Sequence, residues 1–113
     1  MLNAWPPQRI PERTWQTLIE HVDAASALDI GALELARGDL WHASRALEKA
    51  VQAGELRARL PYATCVGDAG DPVRAARLLQ AILVDRVRLF GTDHPWTART
   101  QVELADFQAG QQI

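Results

Sequence analysis

Residues 66–79 read VGDAGDPVRAARLL, two glycines and two aspartates set ahead of a run with helical spacing. Two readings compete. In one, Asp68 and Asp71 are oxygen ligands for a cation, or Gly67 and Gly70 form the backbone of a phosphate loop. In the other, the stretch is a corner where one helix stops and the next starts. A cation site wants several more oxygens converging on it, and the neighbouring sequence supplies none. A phosphate loop follows a strand and carries lysine followed by serine or threonine, and neither accompanies these glycines. Capping accounts for the stretch: glycine closes a helix, Asp71 caps the next, and Pro72 takes its first position.

The same corner occurs 32 residues earlier. ARGDLWHASRALEKAV aligns with DAGDPVRAARLLQAIL, so that Gly38 and Asp39 match Gly70 and Asp71, Ala43 matches Ala75, Leu47 matches Leu79 and Ala50 matches Ile82. Between and beyond these corners the spacing is helical throughout. Pro11 and Glu12 open a first helix carrying Trp15, Leu18, Ile19 and Val22. Ser26, with Asp29 three residues on, reads as the cap of a second. That segment shows Leu28, Ala32, Leu35 and Ala36 as its apolar face and ends at Gly38. A third runs to Gly54. Pro61 predicts a kink in the fourth, or a helix that begins near it. PVRAARLLQAILVDRVRLF has 19 residues and a length of about 28 Å. Its apolar residues cover more than one face, which predicts burial against two neighbours. Pro95 opens the last helix, with Trp96, Ala98, Val102 and Ala105 as its stripe and Leu104 and Phe107 widening it. Six helices joined by short loops predict an all-α fold of antiparallel neighbours, with residues 1–10 an irregular arm and 11–113 a single domain.

This pattern resembles the tetratricopeptide repeat. The residues that carry the likeness are Ile30-Gly31 as a large–small pair, the Gly38-Asp39 corner, and Ala43, Leu47 and Ala50 in the second helix. The turn GTDHPWT at 91–97 is similar to the G-x-D-H-P-x-T turn of the longer-helix variant found in kinesin light chains and many actinobacterial proteins. The resemblance spans roughly residues 24–110. It implies a right-handed superhelical stack of about two and a half repeats, with Tyr62-Ala63 standing at the large–small pair of the second unit. It further implies a groove lined by the first helix of each unit: Leu28, Ala32 and Leu35, then Arg57, Leu60 and Thr64, then Thr100, Leu104 and Phe107. The lysine and asparagine clamp that some members use to hold a carboxylate has no counterpart here.

Composition is ordinary for a globular chain, with 48% apolar and 23% charged residues and a net charge of −2. The 12 basic residues are dispersed among 14 acidic ones, so no basic stripe marks a nucleic-acid surface. Cys65 is the single cysteine, which excludes an intrachain disulfide and predicts a small core residue. The leading sequence lacks the pattern of a signal peptide, and no apolar run reaches the ~20 residues of a membrane span, so the expected location is the cytoplasm. His94 lies in the turn, without a nucleophile spaced near it. His42 and His21 read as helix-surface residues, and neither metal ligation nor a cofactor is expected. Trp15 fits its helix stripe. Trp5, in a proline-rich arm, and Trp41, in the first turn of a helix, are interface candidates. The expected function is a non-catalytic module that binds a partner protein or peptide, or a second copy of itself, without nucleic-acid or membrane contact. The alternative is a ligand- or peptide-sensing regulatory domain of a bacterial regulator, or an accessory protein to an enzyme.

Overall fold

The computed structural model describes residues 9–111, and the expectation for Trp5 lies outside them. Six α-helices and no strand occur among these residues: α1 (Glu12–His21), α2 (Ala24–Ala36), α3 (Leu40–Gln52), α4 (Arg59–Asp68), α5 (Pro72–Phe90) and α6 (Pro95–Gln111), with a 3-10 turn, Leu56–Ala58, ahead of α4. Packing is sequential. From α2 onward each helix lies against the next, while α1 rests on α3 and α4 touches α6.

The two corners are built alike. Gly38 and Gly70 have φ of 79° and 112°, the left-handed region where a side chain is strained. Gly38 N–H donates to Leu35 O and Asp39 N–H to Glu34 O; 32 residues on, Gly70 N–H donates to Gly67 O and Asp71 N–H to Val66 O. This paired closure satisfies carbonyls that a helix end leaves open. The aspartates then cap the following helices, Asp39 accepting from His42 N–H at 3.0 Å and Asp71 from Arg74 N–H at 3.1 Å. Burial repeats with the same offset, since Ala43, Ala75, Leu47, Leu79 and Ala50 are wholly enclosed and Ile82 nearly so. Gly31 faces Leu47 so closely that a Cβ would overlap its side chain. Its counterpart Ala63 is likewise buried, in the cluster that contains Leu79.

Several local expectations need correction. Asp23, not Ser26, caps α2, accepting from Ser26 N–H at 2.7 Å. Pro11 occupies the cap of α1 rather than its first turn. Of the two readings for Pro61 the helix beginning near it holds: α4 starts at Arg59, so Pro61 sits in the first turn, where a missing N–H costs no helical hydrogen bond. Gly67 is no cap. It lies inside α4 against the Phe107 ring of α6, which leaves no room for a Cβ. The buried face of α2 is Ala27, Gly31 and Glu34, with Ala32 and Ala36 exposed and Leu28 and Leu35 half-buried. The face of α6 is Thr97, Thr100 and Leu104, while Trp96, Ala98, Val102 and Ala105 are exposed. Polar groups could take these inward positions because each finds a partner. Arg9 holds Glu34 by two bonds of 2.6 and 2.9 Å, and Thr97 donates to Gly91 O at 2.8 Å.

Two clusters form the core. One joins Trp15 and Ile19 of α1 to the alanine-rich face of α3 and to Tyr62, Cys65 and Val66 of α4. The other gathers Leu60, Ala63, Leu79, Ile82 and Leu104. The expected two-sided burial of α5 holds for its first part only. Val84, Val87, Leu89 and Phe90 are exposed, with no further helix packed beyond α6 among the described residues.

Candidate functional site

The C-terminal part of α5 forms the floor of a cleft of about 350 Å³. Leu56, Arg57, Arg59, Leu60 and Pro61 line one wall, from the 3-10 turn and the start of α4. Trp96 and Arg99, from the first turns of α6, line the other, and Ile82, Asp85, Arg86, Leu89 and Phe90 of α5 lie between. The geometry follows from how α4 and α6 meet. Toward their C-terminal ends Gly67 admits the Phe107 ring, and Thr64 Oγ1 donates to Glu103 at 3.4 Å. Toward their N-terminal ends the bulkier Leu60, Trp96 and Arg99 stand across a gap.

The cleft is apolar with guanidinium groups around it. Leu56, Leu89, Trp96 and Phe90 are 66, 67, 54 and 41% exposed, which is high enough to leave their apolar surface free on the rim. Phe90, His94 and Trp96 pack their rings together, with centroids 4.7–5.5 Å apart, and His94 Nδ1 accepts from Trp96 N–H at 3.1 Å. His94 thus braces the turn, as its position there suggests. Arg57 forks onto Glu55 with two 2.9 Å bonds, and hydrogen bonding from Arg57 pushes the Glu55 carboxyl down to about 2. Arg59 pairs with Asp85 at 2.8 Å. Arg86 uses one nitrogen, Nη1, to donate to Trp96 O and Thr100 Oγ1, both at 2.8 Å, and its guanidinium lies 5.8 Å from the Trp96 ring centre. Burial, together with the charges of Arg99 and Arg59, pulls the Arg86 pKa below its ordinary value.

Of the groove residues implied by the repeat resemblance, Arg57 and Leu60 line this cleft. Thr100 lies behind it, wholly buried and bonded to Arg86. Leu104 is in the core and Phe107 is the half-buried wedge on Gly67. Thr64 bridges toward α6. Leu28, Ala32 and Leu35 lie on α2, away from the cleft lining. Trp41 is exposed, with the Arg45 guanidinium 4.3 Å over its ring.

A second, smaller cleft of about 190 Å³ lies between the arm, α1 and α2, lined by Arg9, Ile10, Trp15, Leu18, Ile30, Leu33, Glu34 and Arg37. Beside it His42 departs from its expected surface role. Its ring packs edge-on against Trp15 at 4.5 Å and Trp41 at 4.8 Å, and its nitrogens meet Asp39 at 2.7 Å and Glu12 at 2.5 Å. Burial disfavours the imidazolium, but these two carboxylates outweigh it and raise the His42 pKa. Sequence spacing could not reveal this, because Glu12 lies 30 residues away. Cys65 is buried and its thiol donates to Leu40 O at 3.3 Å; burial, then Asp68, pushes its pKa up. No group of three or more metal-ligating side chains converges among the described residues, and no helix among them is long and apolar enough to cross a membrane. Compared with family models, curated proteins and solved structures, the chain shows no significant match.

Proposed function

We propose that this chain is a non-catalytic interaction module, a short tetratricopeptide-like stack that docks a segment of a partner protein in the cleft between α4, α5 and α6. The observation that carries this reading is the cleft itself. It is a concave, largely apolar space whose rim keeps Leu56, Leu89 and Trp96 in water, at a cost of about 25 cal/mol for each Å² of apolar surface left uncovered. What it offers a ligand is shape, apolar area and fixed charge, which is binding chemistry. The repeat assignment is supported by the corner that recurs at 32 residues with the same bonds and the same buried alanine and leucine positions. It is also supported by the molecule's extents of 52 × 33 × 23 Å, longer than wide as stacked helix pairs are.

A specific observation also favours the sensing alternative: the cleft volume of about 350 Å³ lies within the range of small-molecule pockets. Peptide-display selection on the purified chain separates these. Docking predicts enriched peptides whose affinity falls about tenfold or more in Leu89→Asp, a loss of at least ~1.4 kcal/mol. Selection that enriches no peptide sensitive to Leu89→Asp overturns the docking reading.

A further inference from the structure

The charges around the cleft do not balance from within. Four guanidinium groups line it, from Arg57, Arg59, Arg86 and Arg99, against one lining carboxylate, Asp85. Arg57 is neutralised by Glu55 and Arg59 by Asp85. Arg86 and Arg99 make no ion pair among the described residues. Arg86 is moreover half-buried, and its two side-chain hydrogen bonds both use Nη1 and both go to neutral oxygens. A partly buried cation beside like charges is held at a cost that an incoming anion relieves. The two groups border one gap, Arg86 on its α5 floor and Arg99 on its α6 wall. The positive end of α6 adds to the same field, since Trp96 and Arg99 lie in its first turns.

We infer that the docked segment is acidic: an apolar side chain seats among Leu60, Ile82 and Leu89, and a neighbouring Asp or Glu carboxylate is held by Arg86 and Arg99. This rests on the docking reading above. Guanidinium donors suit a carboxylate because the fork matches its two oxygens. A stretch of chain is favoured over a free small molecule by the rim. Leu56, Leu89 and Trp96 extend apolar surface outside the enclosed volume, and a ligand confined to that volume leaves them wet.

The test is an array of decapeptides with leucine or phenylalanine at the centre, flanked in one set by Asp and Glu, in a second by Asn and Gln, and in a third by Lys and Arg. Affinities are then measured in solution by fluorescence anisotropy. The acidic set binds at least about tenfold tighter than the amide set, its affinity falls with added salt, and the preference disappears in Arg99→Gln and in Arg86→Met. Arg99 is exposed and makes no side-chain hydrogen bond or ion pair among the described residues, so Arg99→Gln remains informative if Arg86→Met fails to fold. Equal binding of the acidic and amide sets, both lost in Leu89→Asp, overturns the acidic assignment and leaves docking standing. Absence of binding by all three sets overturns both. Hexanoate alone binding as tightly as the acidic peptides overturns the choice of a protein segment.

Discussion

His42 shows how much one side chain ties together. It spans Asp39, the cap of its own helix, and Glu12 of α1, and it packs between Trp15 and Trp41. The contact is strongest with the imidazole charged and both carboxylates ionised. A raised pKa means that His42 contributes stability in full below its ordinary 6.5 and loses it as pH rises through the folded value. Glu12, lowered chiefly by its bond to His42, contributes above its ordinary 4.5 and loses that as pH falls through the depressed value. Asp39, lowered by its bonds to His42 against the pull of burial, does the same above 3.8. Thermal melts are therefore expected to show a higher midpoint at pH 6 than at pH 9. His42→Gln should lower the pH 6 midpoint by about 5 °C and flatten the difference between the two. An unchanged pH dependence in the variant would remove His42 as its source. The bridge to Glu12 was not legible in the sequence, because a contact between residues 12 and 42 leaves no local mark.

At the scale of the elements, the sequence was legible wherever the cause was local. Asp39, Asp71, Pro72 and Gly70 announce helix ends through backbone chemistry within a few residues, and the structure places caps and corners there. The same corners differ in what else they hold. Asp71→Ala removes one cap bond and is expected to cost about 1 kcal/mol in urea denaturation. Asp39→Ala should cost more, because Asp39 also accepts from Arg9 at 2.5 Å and from His42. Equal losses would show that those extra bonds contribute nothing net. The inward faces of α2 and α6 were not legible by apolar spacing alone. Glu34 is inward because Arg9 satisfies it, and Thr97 and Thr100 because carbonyls and Arg86 do. Arg57 and Leu60 were named as groove residues from the repeat resemblance, whereas Arg86, Leu89 and Trp96 were missed. Periodicity placed Trp96 in the stripe of its helix and gave Arg86 and Leu89 no part in the apolar faces of α5, and among the described residues no helix packs beyond α6 to cover them.

For the molecule as a whole, sequential packing makes stability uneven along the stack. α3 and α4 are flanked on both sides, whereas α1 rests mainly on α3, and α6 has neighbours on one side. Amide hydrogen exchange is expected to be slowest in α3 and α4 and fastest in α1 and the last turns of α6. Uniform protection across all six helices would indicate one cooperative block instead. The charge around the cleft behaves differently from the His42 contact. Its four cations are all arginines, and a guanidinium keeps its proton throughout the biological range. The one lysine, Lys49, is committed elsewhere, donating to Glu20 O at the end of α1. Neither a change in acidity within that range nor lysine acetylation therefore alters the charge of these four side chains, and an acidic segment docked as proposed would be released only by a change outside them.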